Sequence, residues 1–185
     1  MKFWTVLLVL LLVMVAPVMA GEWRSIDQTS KLTYIATYEK EPIEGKFQQF
    51  SVVVQTNNKT AALESLNVRV AVNSADMSSD DINDAIRGAE WFDVNHFATA
   101  EFNAAAIEKK DVTHYMAHGT LKLKGIEKKL DLPFVWNVDS QKALLTGEVV
   151  LKRSDFSIGT GEWLSGDQIG LDVNVHFSVE LHENK

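Results

Sequence analysis

The sequence contains no cysteine. That excludes disulfide bridges, thiol nucleophiles, thiolate metal ligands and a lipid anchor carried on a cysteine. It also lacks a basic footprint. Eighteen basic residues stand against 25 acidic ones, a net charge of −7, and no run of Lys and Arg exceeds two residues. Nucleic acid is thereby excluded as a partner, and anionic lipid surfaces are poor ones, because both need clustered positive charge. Catalytic signatures are missing too. There is no Gly-x-Ser-x-Gly elbow. Gly159-Thr160-Gly161 starts like a dinucleotide loop, but its third glycine is absent and it lies between strands rather than opening a helix.

Long apolar runs are scarce as well. The longest spans residues 6–15, short of the roughly 20 residues a membrane-spanning helix needs. Lys2 precedes this run, Pro17 ends it, and Val18 and Ala20 stand three and one residues before a junction with Gly21. Polar residues follow at once. This is the layout of a cleavable signal peptide over 1–20, which implies export. The remainder, 21–185, reads as one domain large enough to bury a sizeable core. Loss of Lys2 takes its net charge to −8.

What is abundant is alternation with a period of two, the mark of half-buried strands. The segment from Ile169 to His182 sets Leu171, Val173, Val175, Phe177, Val179 and Leu181 on one face and polar side chains on the other. Phe50, Val52 and Val54 repeat the pattern, as do Leu66, Val68, Val70 and Val72. So do Tyr115, Ala117, Gly119, Leu121 and Leu123, then Leu130, Leu132, Phe134 and Trp136, and the segment 144–152. Turn residues at Glu41-Pro42, Asn57-Asn58, Lys124-Gly125, Asp139-Ser140 and Ser165-Gly166-Asp167 separate these runs. About eight strands at this spacing predict an all-β antiparallel barrel or sandwich.

One segment departs from alternation. Residues 78–88 predict a short helix, with a serine cap, aspartates at its positive end, Arg87 in its last turn and Gly88 stopping it. Ile82, Ala85 and Ile86 form an apolar stripe. Trp91, Phe92, Phe97 and Phe102 follow and are expected to anchor the helix to the barrel. Asp80-Asp81 and Asp84 have the spacing of a diphosphate-magnesium motif, but helix-start residues explain them. The histidines are His96, His114, His118, His176 and His182. His114 and His118 are about 13 Å apart on a strand, too far to chelate one metal. All five read as solvated surface groups, and no metal or cofactor is assigned.

Three segments carry a resemblance. The first, residues 119–132, reads Gly-Thr-Leu-Lys-Leu-Lys-Gly-Ile-Glu-Lys-Lys-Leu-Asp-Leu. The second is Arg153-Ser154-Asp155-Phe156-Ser157-Ile158-Gly159, and the third is Trp91-Phe92-Asp93-Val94 with Phe97 and Phe102. Together they resemble the YceI-like family of polyisoprenoid-binding periplasmic proteins. Asp27, Ser30, Leu32, Tyr34, Gly45 and Phe47 add support near the mature start. The chain looks like a divergent member. Ser157 replaces a family glycine, Ala98 replaces a proline, and the helix lacks the family's Arg and His.

The resemblance implies an eight-stranded antiparallel lipocalin-like barrel with one short helical segment near 79–88. It implies non-catalytic binding, carriage or sequestration of an amphiphilic isoprenoid, a polyprenyl chain or quinone, in the periplasm. Face parity nominates Phe50, Val68, Val70, Phe102, Leu121, Phe134, Leu151, Val173 and Val175 as cavity lining. An eight-stranded barrel either fills itself with side chains or holds one small ligand. Gly147 and Val149 share a face with Leu145 and Leu151, and Ala100 and Ala104 flank Phe102. These small residues leave room either for a ligand or for neighbouring aromatics. The alternative reading is a solid barrel that docks a membrane-associated or redox partner through Trp91 and Trp163.

Overall fold

The computed structural model describes residues 21–184; the expected leader at 1–20 lies outside them. The chain runs through β1 (Gly21–Ser25), β2 (Lys31–Tyr38), β3 (Glu41–Phe47), β4 (Phe50–Thr56), β5 (Leu63–Ala71) and β6 (Ala75–Asp76). A helix, α1 (Asp80–Arg87), follows. Then come β7 (Thr99–Lys109), β8 (His114–Leu123), β9 (Ile126–Asp139), β10 (Lys142–Lys152) and β11 (Asp172–Asn184).

Eight of these strands form a closed antiparallel ring, in the order β1-β4-β5-β7-β8-β9-β10-β11. Closure comes from β1, which pairs with β4 on one side and β11 on the other. Of the barrel and the sandwich that alternation allowed, the barrel, which the resemblance implied, is the fold. Turn chemistry sets the registers. Lys124 and Gly125 have φ of 47° and 75°, the two positive values a type I′ hairpin turn needs, and Leu123 pairs directly with Ile126 across them.

The two ends of the barrel differ, and the difference creates the site. One half of the long β11 pairs with β1 through Leu181, and the other half pairs with β2 through Asn174–Ser178. β2 then pairs with β3, and β3 with β6. At that second end three extra segments are wedged into the wall. A wall with more strands encloses a wider interior. Ser74 stitches the insertion shut, accepting the Gln49 N–H at 3.0 Å and donating to Ala71 O at 2.6 Å. The narrow end is plugged. Trp23 and Trp136 meet edge-to-face at 5.6 Å, Tyr115 stacks on Phe134 at 5.5 Å, and Leu63, Ala117, Ala143 and Leu181 fill the space between.

Candidate functional site

Above this plug lies a cavity of about 690 Å3, closed below and open at the other end. Its floor is Leu66, Leu132, Leu145 and Val179, and its walls are the inward faces of β2–β5 and β7–β11. Alternation makes those faces almost purely apolar. The mouth is covered by α1 through Ile82, Ala85 and Ile86, and by the segment after β10 through Phe156, Ile158 and Trp163. Ile82 is 43 % exposed, so the apolar stripe of α1 is not packed down on the barrel as expected. It roofs open space instead. Of the predicted anchors, Phe92 packs on Phe47 at 6.1 Å and Trp91 on Trp163 at 5.9 Å. Phe97 lies under Gly125, and Phe102 belongs to the barrel core.

The cap of α1 is built differently from the sequence expectation. Ser79 occupies the N-cap but its side chain makes no capping bond. Asn83 does the work from inside the helix. It is buried, accepts the Met77 N–H at 2.7 Å and donates to Asp76 Oδ1 at 3.3 Å. Asp76 also accepts the Ser78 N–H at 2.9 Å and the Gln48 side-chain amide at 2.9 Å, with Lys46 at 3.5 Å. These contacts, the Ser78 N–H first, hold its carboxyl down to about 2.

The other half of the mouth hangs on Arg153. Its side chain is buried, and its five N–H groups donate to five backbone carbonyls: Gly170, Ile158, Gly159, Trp163 and Ile169. The guanidinium also lies 5.4 Å from the Trp91 ring, within cation–π range. Burial pushes its pKa down from the usual arginine value. Gly159 is required here: its φ is +72°, and a Cβ would overlap the Arg153 guanidinium. Lys124 closes the seam, donating to Ala89 O and Ser157 O, both at 2.8 Å.

A family model, the YceI-like domain, matches residues 23–181. The chain belongs to the YceI-like family. Among solved structures, Burkholderia cenocepacia BcnA is 26 % identical, with a TM-score of 0.79 over 84 % of this chain and 98 % of that one. A polyisoprenoid-binding domain from Saccharophagus degradans implicated in plant cell wall breakdown is 14 % identical, with a TM-score of 0.71 over 88 % and 98 % of the two chains. A Campylobacter jejuni YceI protein is 21 % identical, with a TM-score of 0.67 over 77 % and 85 %. No curated protein matches.

The second segment of the YceI-like resemblance now has a physical account. Its Arg is the hub of the mouth loop. Ser157, where the family carries glycine, sits in the left-handed region at φ 53°, a conformation that glycine adopts without steric cost.

Of the nine residues nominated by parity, Phe50, Val68, Val70, Phe102, Leu121, Leu151, Val173 and Val175 lie on the cavity wall. Phe134 does not. It faces inward, as parity requires, but belongs to the plug, stacked on Tyr115 below the floor. The small inward residues divide: Ala100 and Val149 line the cavity, Ala104 lies in the core, and Gly147 makes room for a ring. A Cβ on Gly147 would meet the Phe177 ring at 2.4 Å, one on Gly119 the Phe102 ring at 2.5 Å, and one on Gly45 the Tyr34 ring at 2.4 Å. The glycines seat rings, and the volume comes from the strands inserted at the wide end. The barrel is not solid, and Trp91 and Trp163 line its mouth, with Trp163 Nε1 donating to Glu90 at 3.2 Å.

Sequence reasoning missed Leu32, Tyr34, Phe47, Met77 and Arg153 as lining residues. The alternation of Leu32, Tyr34, Ala36 and Tyr38 carried the signal for the first two. Arg153 was marked only as part of the second resemblance segment, with no sign that it reaches the cavity. Tyr34 stands apart: its hydroxyl is buried with no hydrogen-bond partner among the described residues. Burial, followed by the nearby Asp76 charge, pushes its pKa up. The histidines sit on the outer surface. His118 lies 2.7 Å from Asp131 and 3.4 Å from Glu108, and hydrogen bonds to these two raise its pKa.

Proposed function

We infer that this protein is a non-catalytic carrier that buries the tail of one isoprenoid, a polyprenyl chain or quinone, inside its barrel. One observation carries the reading: a blind, almost wholly apolar cavity of about 690 Å3 that opens at one end under a helix. An apolar cleft with few polar groups is the ordinary form of a lipid or cofactor pocket. The relative described as a polyisoprenoid-binding domain supports the choice of ligand class. The signal-like leader supports export to the periplasm, and N-terminal sequencing of the natural protein beginning at Gly21 would establish cleavage. Such cargo partitions into membranes, so loading takes place at a membrane or from a membrane-associated partner.

The size of the cavity makes the reading quantitative. Taking one water's share of liquid volume, ~30 Å3, as the size of one heavy atom, 690 Å3 holds roughly 23 heavy atoms, or four to five isoprene units. Drug-sized ligands gain about 0.3 kcal/mol per heavy atom. The total, about 7 kcal/mol, corresponds to a Kd on the order of 10 µM. Each isoprene unit adds five carbons, about 1.5 kcal/mol, or roughly tenfold in affinity. Titration with polyprenols of increasing length, read by tryptophan fluorescence, is expected to show that gain until four to five units and then a plateau. Affinity independent of length would overturn the reading.

A further inference from the structure

The polar end of such a ligand meets a wall with very little to offer a charge. The lining contains two ionic groups, Arg153 and Asp81. Arg153 has no donor left, since all five of its N–H groups are held by backbone carbonyls. A phosphate would have to pull the guanidinium away from them and leave buried carbonyls unpaired. Asp81 shares the first turn of α1 with Asp80, so the roof over the mouth is acidic. A diphosphate drawn under it would lose its hydration and meet no free cation in the lining, while Lys124 at the mouth seam already donates to Ala89 O and Ser157 O.

A neutral oxygen meets a different situation. Tyr34 is 92 % buried, its ring is part of the cavity wall, and its hydroxyl has no partner among the described residues. The hydroxyl oxygen and the Met77 sulfur both lie within 2.5 Å of the point where a Gly45 Cβ would stand. Gly45 therefore makes the space in which the hydroxyl sits, and Met77, also a lining residue, covers it. An unbranched thioether side chain adapts easily to a new neighbour. Tyr34 pairs with Val175, and four residues along β2 Tyr38 meets Ile169 at the rim. The Tyr34 backbone thus stands about 13 Å of strand from the rim residue Tyr38.

We propose that the cavity selects an uncharged, oxygen-bearing isoprenoid, an alcohol or a quinone, over its phosphorylated counterpart, and that the Tyr34 hydroxyl donates a hydrogen bond to that oxygen. This rests on the isoprenoid reading above. The ligand's polar end is then enclosed beneath α1 rather than left outside the barrel. The unsatisfied hydroxyl of the unliganded protein is the feature that the ligand completes.

The test uses three C20 probes on the whole mature protein and on Tyr34→Phe: geranylgeraniol, geranylgeranyl diphosphate and the hydrocarbon phytane. Binding is read by the fluorescence of Trp91 and Trp163, and the unliganded proteins are also melted. The alcohol is expected to bind wild type at least about tenfold more tightly than the diphosphate. Y34F is expected to weaken the alcohol ~3–10-fold, the effect of one hydrogen bond, and to leave phytane unchanged. Removing an unpaired buried hydroxyl is expected to raise the unliganded Tm by several degrees, on the order of 2–8 °C, a gain that a hydroxyl with a structural partner would not give. A diphosphate that binds as well as the alcohol, alcohol affinity unaffected by Y34F, or a lowered Tm would each overturn the proposal while leaving isoprenoid binding intact. Failure of all three probes to bind would overturn the isoprenoid reading itself.

Discussion

Replacing Arg153 by Met is the perturbation whose cost can be worked most fully from the structure. Methionine keeps an unbranched apolar stem and removes the charged fork. Five hydrogen bonds to carbonyls between Ile158 and Gly170 are lost. Hydrogen bonds to a charged group contribute about 1.5–3 kcal/mol each, so the gross loss is on the order of 10 kcal/mol. Two effects reduce it. Among the described residues no carboxylate pairs with Arg153, so removing the guanidinium also removes a desolvation penalty of several kcal/mol. The freed carbonyls can reach water if the 157–171 segment opens, which exposes Ile158 and part of Phe156 at about 1.5–3 kcal/mol per fully exposed side chain. The net expectation is a loss of about 3–5 kcal/mol, close to that for breaking a buried ionic network. Urea unfolding gives the free energy, and hydrogen exchange gives the location, with protection lost in 157–171 ahead of the barrel strands. Arg153→Lys is expected to recover little, because three ammonium donors on a point charge cannot serve five carbonyls in a fork. A cost under about 1 kcal/mol with unchanged exchange in the loop would refute the reasoning.

Three further outcomes follow from the same structure. Leu66 is fully buried in the cavity floor, so Leu66→Ala is expected to cost about 3–4 kcal/mol and to lower Tm by roughly 8–14 °C; it also deepens the cavity, so the chain-length plateau moves to longer polyprenols, and an unmoved plateau would contradict the placement of the floor. Asp76, held at about 2 against an unfolded value near ~3.9, stabilises the α1 cap above about pH 4 and loses that contribution as pH falls toward 2; exchange in 76–87 is expected to rise over that window before the barrel opens, and protection that is lost on raising the pH would reverse the sign. Ser157→Gly relieves a left-handed residue at φ 53° and is expected to stabilise by about 0.5–1 kcal/mol after the entropy of the glycine is counted; a lower Tm would show that the serine is needed there.

Much of this was legible in the sequence because a half-buried strand writes its two faces in alternate residues. Val173, Val175 and Leu121 could be placed inward from parity alone. Depth along the barrel axis could not, since parity is the same at every rung: Leu132 and Phe134 are neighbours on one face of β9, yet one forms the cavity floor and the other the plug. Short elements also escaped. β1 and β6 have five and two residues, too few to show a period, although β1 closes the ring and β6 helps widen it. Gly147 illustrates a second limit. A small inward residue is read as open volume, but its meaning depends on Phe177 directly across the ladder. The helix at 80–87 was readable from its charges and stripe, whereas its real cap, Asn83 with Asp76, depends on how β6 meets the helix. Arg153 was visible only as part of a motif, because its five acceptors are scattered along a loop with no periodicity. The missing partner of Tyr34 is a fact of packing that no sequence pattern records.

The most direct test of the carrier reading is native mass spectrometry of the protein, isolated from its natural source without detergent and followed by organic extraction. The account predicts one bound mass per chain that extracts as a neutral isoprenoid alcohol or quinone. A clean unliganded mass that stays unchanged after incubation with polyprenols and quinones would contradict it.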